Sequence, residues 1–225
     1  MVIRANGSDR HAVFRCRPQG SECTAQHLPA WSPDGQRIAF TREGDPLDDG
    51  PRLWVMDADG SNLSQVAEAA PRFSEFGPAW SPDGKRLVFE RFDEKQQLSA
   101  VHGASTGGDY RRLTPWRMDA GEPMDWSPDG RWILFLDHSW SDVPSSLWAV
   151  RPHGGDRHRI AGTSGDTFTW LSGSFSPDGS RITAAGRSWD DGLADVYVLS
   201  IHGRVLRNIT ATKGKWESFA DLGAS

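Results

Sequence analysis

The chain has 225 residues, of which 37% are hydrophobic and 24% are charged, and its formal net charge at pH 7 is −5. These values are typical of a soluble domain with an apolar core. The acidic balance argues against nucleic acid or an acidic membrane as a partner, because those ligands select basic surfaces. No apolar run is long enough for a membrane-spanning helix, so we expect no membrane insertion.

One five-residue motif, Trp-Ser-Pro-Asp-Gly, recurs along the chain. Copies begin at Trp31, Trp80 and Trp126, and a fourth copy begins at Phe175 with Phe in place of Trp. Consecutive copies are 49, 46 and 49 residues apart. A constant period of this length indicates a repeat protein with one supersecondary unit per repeat. We therefore expect a single domain over residues 1–225.

Each repeat predicts four short antiparallel strands. Pro, Asp and Gly in the motif favour a tight hairpin turn, because Pro fixes φ and Gly accepts the left-handed conformation. After the turn that follows Trp31, apolar runs at 37–40, 53–56 and 62–66 predict the next strands. No stretch has convincing helical periodicity. The predicted fold is therefore all-β, a β-propeller of four-stranded antiparallel blades.

The repeat limits predict about five blades in this chain. Blade 1 would combine the two termini, which would remove exposed sheet edges. The alternative, which the sequence leaves open, is a chain cut from a longer protein. The predicted limits are 1–28 with 215–220 for blade 1, 29–77 for blade 2, 78–123 for blade 3, 124–172 for blade 4 and 173–214 for blade 5.

These repeats resemble the TolB-type β-propeller repeat, in which Trp-Ser-Pro-Asp-Gly precedes a strand ending in Phe and then Leu/Ile-Tyr/Trp-Val-Met-Asp-x-Asp-Gly. Residues 31–66 match nearly throughout, and 80–113, 126–160 and 175–210 match well. Propellers of this type generally have six blades, so the resemblance implies that this chain either closes with five blades or is a fragment of a six-bladed ring. It also implies a non-catalytic binding scaffold of the bacterial cell envelope, periplasmic or exported, or an accessory domain beside serine peptidases.

The order of the strands places the long loops at one end of the blades. The first and third turns of each blade are short, whereas the second turn and the link to the next blade are long. Long loops on a rigid scaffold commonly carry binding residues. The predicted long loops are 41–52, 67–78, 91–97, 114–125, 137–146, 162–173 and 187–195.

Aromatic and acidic residues are frequent in these loops, where rings supply contact area and carboxylates supply charge complementarity. We predict that the chain is a monomer that binds a protein or peptide at these loops, without a cofactor or metal. A basic partner would suit the acidic side chains. The competing interpretation is that the rings fill gaps between blades and the acids are ordinary loop charges. The predicted binding residues are Glu75, Phe76, Trp116, Glu122, His138, Trp140, Trp170, Trp189 and Asp190.

One motif has a catalytic interpretation. Residues 103–107 fit the Gly-x-Ser-x-Gly nucleophile pattern, but that pattern requires a strand-to-helix turn and these residues fall in a predicted hairpin. We therefore predict that the chain itself is not an enzyme. The alternative is the propeller domain of a serine peptidase or glycan-acting enzyme whose catalytic part lies outside this chain.

The two cysteines, Cys16 and Cys23, flank Gln19 and Gly20. A two-residue hairpin there would place them opposite each other, close enough for a disulfide that would imply an oxidising compartment. Two buried thiols are the alternative. The first residues show no signal-peptide pattern, so the sequence alone does not fix the compartment.

Overall fold

The computed structural model describes residues 26–43, 50–66, 72–105, 108–138, 144–162, 168–188 and 192–210. Within these ranges, sixteen strands form four separate four-stranded sheets, here called sheets A to D. The helical structure in the same ranges is one 3-10 turn, Trp116–Met118. None of the described helices is long and apolar enough to cross a membrane.

The strands follow one another along the chain. Sheet A contains β1 Gln26–Trp31, β2 Arg37–Arg42, β3 Arg52–Asp57 and β4 Ser64–Gln65. Sheet B contains β5 Phe73–Trp80, β6 Arg86–Asp93, β7 Leu98–Ser105 and β8 Tyr110–Arg112. Sheet C contains β9 Gly121–Trp126, β10 Ile133–Leu136, β11 Leu147–Val150 and β12 His158–Ala161. Sheet D contains β13 Phe168–Phe175, β14 Arg181–Ser188, β15 Ala194–Ser200 and β16 Val205–Asn208.

Each sheet is a meander in which neighbouring strands pair antiparallel. The register between the first and second strands shifts once in every sheet. The first strands of successive sheets contact one another, β1 with β5, β5 with β9 and β9 with β13. This arrangement, with first strands together and fourth strands outward, is that of propeller blades.

The repeated turn forms as the sequence predicts. In the first copy, Ser32 Oγ donates to Asp34 Oδ1 (2.6 Å), the Arg37 amide donates to Ser32 Oγ (2.9 Å), and Gly35 has a φ of 67°. The Ser32 hydroxyl and the Gln36 amide hold the pKa of Asp34 below its usual range. The same pair of serine bonds recurs in the other three copies.

Two of the repeated tryptophans join their sheet to the preceding one. Trp80 and Trp126 are 7% and 6% exposed, and their indole N–H groups donate to the carbonyls of Ala30 (3.1 Å) and Ala79 (3.2 Å). The rings of Trp80 and Trp126 therefore pack between neighbouring sheets. Trp31 is 49% exposed, because no described sheet precedes sheet A.

The fourth copy of the motif replaces this indole contact with a carboxylate. Phe175 has no side-chain donor, and the residue equivalent to Ala30 and Ala79 at this junction is Asp125. Asp125 Oδ2 accepts from the Phe175 amide (2.7 Å) and from Ser174 Oγ (3.0 Å). A cross-sheet hydrogen bond is thus kept although the repeated ring has changed.

Apolar side chains fill the spaces between the sheets. Between sheets A and B the buried residues are Ala39, Leu53, Trp80, Leu87, Phe89 and Ala104. The space between sheets B and C holds a cluster that includes Val88, Val101, Trp126, Ile133 and Phe135. The cluster between sheets C and D includes Leu134, Leu147, Trp170, Phe175 and Ile182.

The first strand of three sheets begins earlier than the sequence predicts. Residues 73–78, 121–125 and 168–173 are predicted as loops but belong to β5, β9 and β13. Turn-forming pairs such as Gly77-Pro78 interrupt the alternation of residues by which a strand is predicted. They can lie within a strand because the pairing register shifts there. The blade limits stay a prediction, since residues 1–25 and 211–225, which hold most of predicted blade 1 and the cysteines at 16 and 23, lie outside the described residues. The described part of predicted blade 1, residues 26–28, belongs to β1 of sheet A.

Glycine allows the outer hairpin of sheet D to contact the preceding sheet, sheet C. Gly203 has a φ of 83°, and a Cβ there would overlap the Ile160 carbonyl of sheet C. Gly108 occupies the equivalent hairpin position in sheet B. The amides of Gly108 and Gly203 each donate to the carbonyl three residues earlier in their own hairpin. A Cβ at Gly108, where φ is 97°, would have nothing within 4 Å. Substitutions at the two glycines can therefore be compared to separate the cost of backbone strain from the cost of the contact between sheets.

We expect Gly203→Ala to destabilise the protein more than Gly108→Ala. Both changes force a side chain into the left-handed region, at a cost of roughly 1–2 kcal/mol. Gly203→Ala must also push two sheets apart, which adds about 1–3 kcal/mol. The free energy of unfolding of both variants, measured by urea denaturation, checks this. Equal losses would show that the hairpin does not press on sheet C.

Candidate functional site

The predicted binding residues fall into three groups. Glu75 and Phe76 lie in β5, Trp116 lies in the 3-10 turn and Glu122 lies in β9, so these four gather at one end of sheet B and its junction with sheet C. His138 follows β10, and Trp170 lies in β13, both in other sheets. The residues outside the described ranges are Trp140, Trp189 and Asp190.

Glu75 is buried, contrary to the prediction of a surface contact. Its carboxylate pairs with Arg91, whose Nε lies 3.2 Å from Glu75 Oε1, and the two side chains are 0% and 6% exposed. The other carboxylate oxygen accepts from the Leu53 amide of sheet A (3.2 Å). A buried charge needs such partners, so Glu75 links two sheets and does not present a carboxylate to a ligand.

Trp170 is also inside the protein. It is 4% exposed, packs in the cluster between sheets C and D, and donates through Nε1 to the Gly162 carbonyl (3.2 Å). The prediction of an exposed ring is wrong because residue 170 belongs to an inner strand and not to a loop. The alternative, that such rings fill gaps between blades, holds for this residue.

Phe76 and His138 lie apart from each other. Phe76 is half-buried in β5, where it is the cross-strand neighbour of Glu90. His138 is half-buried with a φ of 53°, and its carbonyl accepts from Ser145 Oγ (3.4 Å) at the second turn of sheet C. Both remain at the predicted end of the sheets, Phe76 in sheet B and His138 after a strand of sheet C.

Two half-buried rings stack at the long-loop end of sheet B. The ring centroids of Phe73 and Trp116 are 5.9 Å apart, with 4° between their planes. Cζ of Arg72 lies 4.6 Å from the centre of Phe73, and Cζ of Arg112 lies 5.7 Å from that of Trp116. These four residues are here called the Phe73–Trp116 platform. Arg91 lies 5.1 Å from the Phe73 ring, so the buried ion pair also holds the platform.

A buried histidine supports the platform from within. The ring of His102 is 5.6 Å from that of Trp116 and 5.1 Å from that of Tyr110, and its Nδ1 donates to the Ala100 carbonyl (2.9 Å). Burial, with the Arg91 charge nearby, lowers the pKa of His102 to about 3. The imidazole is therefore neutral at physiological pH. Sequence reasoning missed it, because nothing in β7 marks this strand residue.

Two glutamates meet at the junction between sheets B and C. Glu90 is 1% exposed, and it accepts from the Ser99 hydroxyl and from the Glu122 amide (2.9 Å). Glu122 has a φ of 48° and is exposed as a whole residue. Desolvation by the surrounding protein and the Glu90 carboxylate nevertheless raise the pKa of Glu122 to about 7. Among the predicted binding residues, Glu122 thus changes charge near neutral pH.

A cleft of about 890 Å³ opens at the opposite end of the sheets, between sheets C and D. The sequence did not predict it, because every blade has short turns at this end. Apolar residues from both sheets line the cleft together with charged residues from the turns. They include Asp129, Arg131, Trp132, Arg151, His158, Ile160, Phe175, Asp178, Gly179 and His202.

No protein-family model matches the chain. The curated protein "Uncharacterized peptidase YuxL" of Bacillus subtilis (strain 168) is 26% identical over 160 residues, which cover 56% of this chain and 23% of that protein. TolB from Acinetobacter baumannii superposes with a TM-score of 0.66 at 18% identity, over 91% of this chain and 47% of TolB. A puromycin-hydrolyzing peptidase of Mycobacterium tuberculosis gives a TM-score of 0.59 at 20% identity, over 80% of this chain and 28% of the peptidase.

The fold is that of a TolB-like β-propeller. The prediction of an all-β propeller with four-stranded antiparallel blades is thereby confirmed. Similarity at this level of identity concerns the fold, and function must be argued from the site. The chain spans 23% of the curated relative and 47% of the TolB chain.

We expect the raised pKa of Glu122 to appear in the pH dependence of stability. The folded value of about 7 exceeds the ordinary value of 4.5, so the folded chain favours the protonated carboxyl. This contribution is complete below pH 4.5 and is lost as the pH rises through 7. Solvent screening at an exposed residue limits it to about 1 kcal/mol.

Glu122→Gln should therefore flatten the fall in unfolding free energy between acid and neutral pH. Glu94→Gln, which alters an exposed glutamate in the turn after β6, is the matched control and should keep the dependence of the parent protein. Chemical denaturation at a series of pH values provides the measurement. A parent-like profile in Glu122→Gln would exclude Glu122 as its source.

Proposed function

We propose that the chain is a non-catalytic propeller scaffold that binds a protein or peptide segment at the Phe73–Trp116 platform. The platform is the observation that supports this most directly. It presents two stacked, half-buried rings beside arginine side chains. Aromatic and arginine side chains contribute most often to interface affinity, and a surface fixed in advance loses little conformational freedom on binding.

The charges around the platform suggest the chemistry of the bound segment. Arg72 and Arg112 are exposed beside the rings, and Glu122 is exposed on the adjoining strand β9. A segment with an apolar or aromatic side chain between charges of both signs fits this arrangement. It fits better than the uniformly basic peptide expected from the loop acids. A monomeric state and a cell-envelope location are parts of the same proposal.

The proposal can be tested at Trp116. Peptides selected by display against the purified chain should bind Trp116→Ala at least tenfold more weakly, because truncating a central interface aromatic costs about 2 kcal/mol. Arg117→Ala, which changes the exposed neighbour in the same 3-10 turn, should keep the dissociation constant within about twofold, as expected for a peripheral charge. Calorimetric titration provides both values. Equal affinity of the two variants would place the binding site elsewhere.

A second candidate function has its own support. The curated relative and the puromycin-hydrolyzing structural neighbour are both named as peptidases, and this chain covers only 23% and 28% of their lengths. The chain would then be the propeller part of a longer peptidase. The Gly-x-Ser-x-Gly motif does not supply the nucleophile, because Ser105 ends β7 and its hydroxyl accepts from the Asp109 amide (3.0 Å) in a hairpin.

The extent of the coding sequence distinguishes the two candidates. A contiguous hydrolase domain with Ser, Asp and His in that order, together with peptidase activity of the intact protein, would favour the second candidate. A reading frame without such a domain, in a protein whose peptide binding depends on Trp116, would favour the scaffold.

A further inference from the structure

The junction between sheets A and B is filled by an arginine at the short-turn end. Arg37 begins β2, and its Cζ lies 4.6 Å from the centre of the Trp80 ring in sheet B. Its Nη2 donates to the Gly84 carbonyl in the next Ser-Pro-Asp-Gly turn (2.7 Å). One guanidinium therefore contacts a ring face and a turn carbonyl of the neighbouring sheet at once.

The junction between sheets C and D has the same turns but different side chains. Trp132 stands where the first junction has Arg37, and Phe175 stands where it has Trp80. Trp132 contacts its own sheet, with its ring 4.7 Å from that of His158 and 3.8 Å from Cζ of Arg151. Gly179 is equivalent to Gly84, and its carbonyl accepts no hydrogen bond from any described residue.

The missing arginine coincides with open space. The cleft at the C–D junction has a volume of about 890 Å³ and is lined by Phe175 and Gly179. The junction between sheets B and C has Arg86 at the same position, and the cleft there is about 400 Å³. Arg86 is exposed and lines this cleft, and among the described residues it makes neither the ring contact nor the carbonyl contact of Arg37. Of these two junctions, the one without the arginine thus has the larger cleft.

The rim of the larger cleft supplies negative charge. Asp129 and Asp178, from successive Ser-Pro-Asp-Gly turns, both line it. The hydroxyl of Ser176, with the amide and hydroxyl of Ser180, lowers the pKa of Asp178 to about 2, so this carboxylate is ionised at physiological pH. A cation entering the cleft would meet the Gly179 carbonyl and two carboxylates beside the ring of Phe175, which is 8% exposed.

We propose that this cleft binds the guanidinium group of an arginine side chain from a peptide or protein partner. The bound group takes the position that Arg37 has at the first junction. It lies on the Phe175 ring, donates to the Gly179 carbonyl and is neutralised by the aspartates of the rim. The site lies at the opposite end of the sheets from the Phe73–Trp116 platform and does not depend on its function.

An anion is the competing ligand, because Arg131 and Arg151 also line the cleft. Arg151 is already engaged, on the ring of Trp132 and 3.5 Å from the carboxylate of Asp156. An anion bound to Arg151 would have to draw that side chain away from both contacts, and one bound to Arg131 would lie close to the Asp129 carboxylate, whereas a guanidinium leaves these charges in place. The structure therefore favours the cation, and the experiment includes an anionic probe.

The test uses three short peptides and the full chain. Acetyl-Gly-Arg-Gly-amide is the probe, the citrulline peptide is its uncharged isostere and the glutamate peptide is the anion. We expect the arginine peptide to shift the amide resonance of Gly179 saturably, with a dissociation constant of about 1 mM, in the range of a weak single-side-chain contact. Citrulline should bind at least tenfold more weakly. Equal binding of citrulline, or tighter binding of glutamate, would overturn the proposal.

Two substitutions locate the site. Trp132→Arg places at this junction the residue that fills the first junction, so it should occupy the cleft and abolish binding in a folded protein. Phe175→Leu removes the ring face and keeps an apolar side chain, and it should weaken binding severalfold even if Trp132→Arg does not fold. Arg37→Ala, at the first junction, should create a second site for the arginine peptide. Unchanged binding in Phe175→Leu or in folded Trp132→Arg would contradict the assignment.

Discussion

The rest of the structure depends on the hydrogen-bonded contact between the repeated aromatic residue of sheets B, C and D and the first strand of the preceding sheet. A four-stranded sheet cannot bury its own apolar faces, so its stability comes from its neighbours. Trp80 meets this need with a buried ring and an indole donor paired to Ala30. Where Phe175 lacks the donor, Asp125 reaches across to the Phe175 amide. The junction between sheets C and D therefore retains a cross-sheet hydrogen bond although Phe replaces Trp.

At the long-loop end, buried carboxylates of sheet B accept hydrogen bonds from both neighbouring sheets. Glu75 in β5 accepts the Leu53 amide from sheet A, and Glu90 in β6 accepts the Glu122 amide from sheet C. Burying charge stabilises little by itself, but a buried carboxylate with fixed partners restricts the arrangement of the chains that supply them. Because Arg91 pairs with Glu75 and also contacts Phe73, the same network positions the aromatic platform. Structure and candidate binding surface are thus built from one set of contacts.

The sequence predicted features that rest on local chemistry and missed those that rest on distant partners. Pro33, Asp34 and Gly35 specify their turn by themselves, so the repeated hairpin could be predicted. The burial of Glu75 could not, because it depends on Arg91, which lies sixteen residues away on another strand. The same limit hid the cleft, which no single residue marks and which appears only when equivalent positions of different repeats are compared.

That comparison also argues that the open junction is a specialised feature. Departures from the repeat at Trp132, Phe175 and Asp125 all meet at the boundary between sheets C and D. Unrelated changes would be expected to scatter over the junctions, with each loss lowering stability locally. Here Asp125 restores the hydrogen bond that Phe175 cannot make. The larger cleft therefore lies at a junction that keeps its cross-sheet hydrogen bond. A binding site formed between two sheets requires such a contact, because the sheets must keep a fixed separation.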